Sequence, residues 1–221
     1  KYYLCTELCE QSIEIAIQLG KLGDIDARIQ LCKAMVEGVQ AFHDAGFVHG
    51  NLTPANFLVE EGVPRLCGFS SAVWFNESAM GTKLDTMGGT IGYMPAEVIA
   101  GRKLHVVVEV INPVAVDIFS LGATSCYVLS NGQKPFRANL AAGTIERNIV
   151  TGSHGVDDIG SLPPEAKHLL ERTEDPEELF SYHDVLKRIG EFGCVYAAAI
   201  ASGSESLMER FQVESVERFS G

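Results

Sequence analysis

Between Ala27 and Ala45 the apolar residues Leu31, Met35, Val36, Val39 and Phe42 recur at steps of mostly three and four. That spacing puts them on one face of an α-helix and predicts a helix with a single buried stripe. Gly46 follows as a helix-ending glycine, and Phe47-Val48 begins an extended stretch. Just upstream, Ile13, Ile15, Ile17 and Leu19 alternate with Glu14, Ala16 and Gln18, the period of a strand. The same residues include helix-favouring Glu, Ala and Gln behind Ser12, a good N-cap, so helix and strand both stay open. Gly20 and Gly23 break the segment, and Asp24 or Asp26 can cap the next.

The remaining pattern is mixed. Tyr2-Tyr3-Leu4-Cys5-Thr6 is β-favouring and predicts a short strand over residues 2–8 that leads into a connector. Phe57-Leu58-Val59, the turn Glu60-Glu61-Gly62 and Val63 to Cys67 predict a β-hairpin. Residues 70–92 show no sustained period and read as a long irregular loop, a feature usually functional or mobile. His105 to Ile111 reads as an apolar strand ended by Asn112-Pro113. Ile118, Leu121, Gly122, Cys126 and Leu129 mark a second helix, stopped by Asn131-Gly132. It has no exposed polar stripe, which predicts a central, buried helix. Further helices are expected over 140–150, 163–173 and 182–192.

Composition narrows the class. The 221 residues are 46% hydrophobic and 21% charged, the range of an ordinary globular chain. A net charge of -12 argues against a broad nucleic-acid surface, which needs clustered Lys and Arg. Apolar runs such as Val106-Val107-Val108 are far shorter than a membrane span of about 20 residues. Cys5, Cys9, Cys32, Cys67, Cys126 and Cys194 contain no C-x-x-C pair and are expected as free thiols of a reducing compartment, on the intracellular, cytoplasmic side. The start at Lys1, with no leader pattern, is expected to be a cut within a longer protein.

His49-Gly50-Asn51-Leu52-Thr53-Pro54-Ala55-Asn56 resembles the catalytic loop of protein kinases, H-R-D-L-x-x-x-N. Arg65-Leu66-Cys67-Gly68-Phe69-Ser70 resembles the strand entering D-F-G, with only Phe69 kept. Gly89 to Glu97 resembles the end of an activation segment, with Pro95-Ala96-Glu97 for A-P-E. Val116-Asp117-Ile118-Phe119-Ser120-Leu121-Gly122 is similar to the helix that opens D-x-W-S-x-G. The resemblance, over about residues 2–180, implies a mainly α fold with a small β component, the C-terminal lobe of a protein kinase. It divides the chain into a lobe over 1–180, without the small lobe, and a tail over 181–221. It further implies that Asp117 holds the backbone of the His49 loop, and that the Asp175-Pro176 segment offers Leu179 where an arginine would pair with Glu97.

The resemblance also implies which residues would act. Thr6 stands at the gatekeeper position, and the backbone of Glu7 and Cys9 would face an adenine edge, with Leu58 on its other side. Asn51 stands where the catalytic aspartate belongs but carries no charge to accept a proton. Gly68 replaces the metal-binding aspartate, Thr53 the usual lysine and Gly50 the arginine, so Asn56 alone survives of the metal ligands. No metal site is expected, and ATP is the one cofactor implied. His49 is expected to be a packed structural histidine bonded to nearby backbone. These losses imply a pseudokinase that acts as a scaffold or regulator for a protein partner, a neighbouring domain or a second copy of itself. An atypical active serine/threonine kinase is the competing reading.

Glu7-Leu8-Cys9, Asn148 to Gly152 and Asp184 to Ile189 are also similar to the combined kinase and endoribonuclease family of the unfolded-protein-response sensor and ribonuclease L. That likeness implies a third reading, in which the tail begins a helical ribonuclease module.

Overall fold

In the computed structural model, residues 5–75, 82–83, 89–95, 98–99, 109–110 and 113–132 are described. The chain enters without regular structure over residues 5–9, so the strand expected over 2–8 does not form there, and residues 1–4 lie outside the described part. Exposure explains the difference: Cys5 to Leu8 are all solvent-accessible, Leu8 at 91%, and among the described residues no strand pairs with them. The first strand is instead β1 (Gln11–Ser12), which runs directly into helix α1 (Ile13–Gln18).

The alternating isoleucines are thus helical. Ser12 Oγ accepts the Ile15 N–H at 3.3 Å, and burial falls on Ile13, Ala16 and Ile17, the three- and four-residue steps of one helix face. Ile15 and Leu19 stay exposed. Helix α2 (Ile25–Asp44) opens on Asp24, whose carboxylate accepts the Ala27 N–H at 3.0 Å, and so Asp24 rather than Asp26 is the cap. Of the expected stripe, Leu31, Met35, Val36 and Val39 are buried and Phe42 is half-buried, and Ile25, Ile29 and Cys32 extend the buried face. Gly46, at a φ of 85°, turns the chain out of α2 into β2 (Phe47–Val48).

The hairpin forms as β3 (Phe57–Glu60) and β4 (Val63–Leu66), one residue short of the expected end at Cys67. Glu61 and Gly62 both have positive φ, 50° and 80°, the geometry of the tight two-residue turn that suits strand twist. β1 adds to the outer side of β3, giving the antiparallel order β1-β3-β4 with Ser12 opposite Leu58 and Leu58 opposite Arg65. The stretch expected as irregular holds a 3₁₀ turn at Phe69–Ser71 and strand β5 (Val73–Trp74), which pairs antiparallel with β2. Within it also lies β6 (Thr82–Lys83), paired with β7 (Glu109–Val110). β7 is the described part of the strand expected over 105–111.

Helix α3 (Pro113–Leu129) starts at the proline expected to end the preceding strand, since proline suits a first helical turn. Every residue from Ser120 to Leu129 is buried, as its lack of a polar stripe predicts. Asn131 and Gly132 end it at positive φ. Helices α2 and α3 run antiparallel: Arg28, near the start of α2, donates to the Leu129 carbonyl at 3.1 Å, while His43 near its end meets Asp117 near the start of α3. Between these ends, Cys32 Sγ lies 3.9 Å from the Ser125 carbonyl. The core is the seam of α1, α2 and α3, closed by Leu52, Phe57, Met94 and Val98. The helices expected beyond residue 132, Glu97 and Leu179 lie outside the described residues, and so do the ribonuclease-like segments.

Candidate functional site

The loop from His49 to Asn56 is built around a carboxylate that the loop itself does not contain. Asp117, wholly buried on α3, accepts the His49 N–H on Oδ2 at 2.6 Å and the Gly50 N–H on Oδ1 at 2.8 Å. This is the backbone-holding role expected for Asp117. A third donor is His43 Nε2 on α2, 2.8 Å from Oδ2, which the sequence reading missed. The available signal was its spacing, four residues after buried Val39 on the same stripe.

His49 is fully buried and its two ring nitrogens have separate tasks. Nε2 lies 2.8 Å from the Cys67 carbonyl, which can only accept, so Nε2 carries the proton. Nδ1 then accepts the Asn51 N–H at 3.3 Å. The expected packed, backbone-bonded histidine is what the structure has. Burial holds its pKa below the ordinary value; the Cys67 carbonyl and the Asp117 charge oppose that pull, and His43 adds to it. The ring also meets Phe69 edge-on at 5.6 Å, and Phe69 stacks on Phe42 at 5.5 Å. The residue kept from D-F-G thus anchors its turn to α2.

Asn51 presents its carboxamide to the activation-segment side, where Oδ1 accepts the Thr90 hydroxyl at 3.0 Å. A shallow depression lies there, lined by Gly50, Asn51, Gly89, Thr90, Tyr93 and Val116 among others. Ser120 Oγ braces its floor, 2.7 Å from the Tyr93 carbonyl. In the sequence Thr90 is one member of the Gly89 to Glu97 motif, and its bond to Asn51 is a contact across 39 residues that no local pattern shows.

Asn56 faces the other way. Its Nδ2 donates to the Asn51 carbonyl at 2.8 Å, its backbone N–H bonds the Thr53 carbonyl, and its own carbonyl accepts the Cys67 N–H at 2.9 Å. Gly68 follows in left-handed conformation, φ 75° and ψ 41°. A Cβ placed there would overlap the Asn56 carboxamide, 2.6 Å from its Cγ.

The hinge candidates sit apart from this loop. Thr6 and Glu7 are exposed and Cys9 is half-buried. Glu7 reaches Arg65 of β4 at 3.6 Å, and the Glu7 and Glu60 charges join desolvation in raising the Cys9 thiol's pKa. Leu58 is half-buried on β3 between Ser12 and Arg65. Glu7 and Leu58 thus lie at the β1-β3-β4 sheet, and Asn51 and Asn56 in the loop that precedes β3. None of the hinge candidates lines the depression at Asn51.

A divalent cation of the kind that accompanies ATP would need hard anionic oxygens. The positions that would supply them hold a neutral amide at Asn51, whose Oδ1 already accepts from Thr90, a neutral amide at Asn56 and no side chain at Gly68. Among the described residues no three His, Cys, Asp or Glu side chains gather into a metal-binding group. The donor set does not fit such an ion.

A family model described as the protein kinase domain matches residues 1–188. The chain is 32% identical over 150 residues to a probable serine/threonine-protein kinase, irlB, of Dictyostelium discoideum, covering 61% of this chain and 10% of the relative. It is 26% identical over 167 residues to the dual specificity protein kinase TTK of Mus musculus, covering 68% and 19%. Against the serine/threonine-protein kinase mph1 of Schizosaccharomyces pombe it is 35% identical over 107 residues, covering 46% and 15%. The chain thus spans only a small part of the length of these relatives.

Proposed function

From the premise that this chain belongs to the protein kinase domain family, we propose that it is the C-terminal lobe of a pseudokinase, a scaffold or regulatory module with at most weak nucleotide binding. The observation that carries this reading is Gly68, which offers no ligand where phosphoryl transfer needs a metal-binding carboxylate. Asn51 supports it independently. Its Oδ1 is an acceptor like a carboxylate oxygen, as the Thr90 bond shows, but a neutral amide is far too weak a base to take a proton from a substrate hydroxyl. The backbone frame of the loop, in contrast, is intact at Asp117, His43 and His49. A lobe that keeps its frame and loses its reacting groups is suited to binding by shape. The partner in this proposal is a protein, a neighbouring domain or a second copy of the chain, on the cytoplasmic side of the cell.

Magnesium-dependent transfer of phosphate from ATP by the full-length protein, abolished by Asn56→Ala, would refute the proposal. The names of the relatives favour that opposite outcome, an atypical active serine/threonine kinase, and so make the assay decisive. A thermal-shift titration with ATP then separates the remaining cases. A shift that does not depend on magnesium supports a bare nucleotide site at Thr6, Glu7, Cys9 and Leu58, and no shift supports a scaffold alone. The ribonuclease reading rests on residues 7–9, 148–152 and 184–189, and its test is RNA cleavage by the full-length protein.

A further inference from the structure

We propose that strand β7 is a built-in clamp, which holds Thr82 and Lys83 in place without the phosphate that orders this part of a kinase. The inference rests on the family reading above and concerns regulation rather than phosphate transfer. Kinase activation loops are ordered when a phosphorylated side chain is received by arginine. In this chain the arginine position of the catalytic-loop motif is Gly50, which gives a backbone N–H to Asp117 and offers no guanidinium. A phosphate would find no fork of donors there.

The described residues between Gly68 and Pro95 are nonetheless tied at three places, each by backbone pairing or by uncharged groups. Nearest Gly68, Val73 and Trp74 pair antiparallel with Val48 and Phe47. Nearest Pro95, the Thr90 hydroxyl donates to Asn51 Oδ1 and the Tyr93 N–H closes a turn on the Thr90 carbonyl, both at 3.0 Å. Gly89 lies so close to Met94 that a Cβ there would stand 3.1 Å from its Cγ. These two ties belong to the His49 loop and the strand that enters it. The third, between them, is the pairing of Thr82 with Val110 and of Lys83 with Glu109. It comes from a different part of the chain, since β7 stands just ahead of α3, the helix whose Asp117 holds the His49 loop. A backbone ladder needs no modification to form, so this tie is permanent where a phosphate tie is switched.

Proline tests the ladder. In an antiparallel pair, opposed residues alternate between those that exchange N–H···O bonds and those that do not. Of Glu109 and Val110, one therefore gives its N–H to β6, and proline at that residue removes the bond. The measurement is amide hydrogen exchange on the full-length protein, read on the peptide that contains Thr82 and Lys83, for wild type, Glu109→Pro and Val110→Pro. Wild type is expected to exchange slowly there, and equally slowly before and after phosphatase treatment of protein isolated from eukaryotic cells. At least one proline variant is expected to exchange about tenfold faster in that peptide, as local opening becomes easier, while peptides from α2 and α3 keep their wild-type rates.

No acceleration in either variant would overturn the clamp. So would wild-type exchange at Thr82 and Lys83 as fast as in the denatured chain, or protection that phosphatase removes. Acceleration spread through α2 and α3 would mean that a variant has not folded, and the phosphatase comparison on wild type then decides alone. Phosphate transfer from ATP would defeat the pseudokinase reading and leave these exchange rates as they are, whereas loss of protection on phosphatase treatment would defeat the clamp and leave that reading standing.

Discussion

Asp117 gathers three donors on one buried carboxylate. Asp117→Ala leaves two backbone N–H groups and a ring N–H unpaired, at about 1–3 kcal/mol for each unmet buried group, so a total loss of about 3 kcal/mol or more is expected. Urea unfolding measures it, and a loss under about 1 kcal/mol would mean that the groups find other partners. His49 makes a second prediction, in pH. Its folded pKa lies below the ordinary 6.5, so the unfolded chain takes up the proton first. The stability this group contributes is complete above pH 6.5 and is lost as pH falls below it towards the folded value. Unfolding midpoints measured between pH 8 and pH 5 should therefore decline on the acid side, and His49→Gln should flatten that part of the profile. At this scale the role of Asp117 was legible through its motif. His43 and Thr90 were not, because their partners lie 74 and 39 residues away and sequence spacing carries no such distance.

The helices show where periodicity works and where it misleads. In α2 the spacing sets the buried face, and the structure follows it from Ile25 to Val39. In α1 four alternating apolar residues imitate a strand, yet only Ile13 and Ile17 of them are buried, and the cap on Ser12 decides for helix. Six residues are too few for a periodicity to discriminate. The hairpin was legible because its turn is local, whereas the pairing of β2 with β5 joins two residues to two others across a long connection. Caps make the prediction here. Asp24→Ala removes the acceptor of the Ala27 N–H and is expected to destabilise by about 1 kcal/mol, while Asp26→Ala, which caps nothing, should be nearly neutral. Equal losses from the two would mean that the helix dipole, rather than the cap, is what those acids serve.

Across the whole molecule, the thiols report on the core. Cys32 and Cys126 are buried and their pKa is pushed up to about 12, so neither forms thiolate at neutral pH, while Cys5 is exposed. Alkylation at pH 8 is expected to label Cys5 in the native chain and to spare Cys32 and Cys126 until denaturant opens the seam of α2 and α3. Peptide mapping reads this directly, and native labelling of Cys32 would mean that the helices separate far below the global unfolding free energy. The protein kinase family was legible from its motifs, and the family match over residues 1–188 agrees with them. The replacements at Asn51 and Gly68 were legible directly, while the closeness of the Asn56 side chain to Gly68 is a matter of side-chain direction.

The carboxylate on α3 also sets an order of events. To reach His49 and Gly50 it must close chain loops of 68 and 67 residues, and that entropy is spent before the contact returns anything. The hairpin and α2 need only near neighbours. The α2–α3 seam closes still longer loops, 101 residues from Arg28 to Leu129, and once it has formed Asp117 stands beside His49 with little chain left to order, so Asp117→Ala should show its cost chiefly as faster unfolding, with the folding rate of the chain almost unchanged.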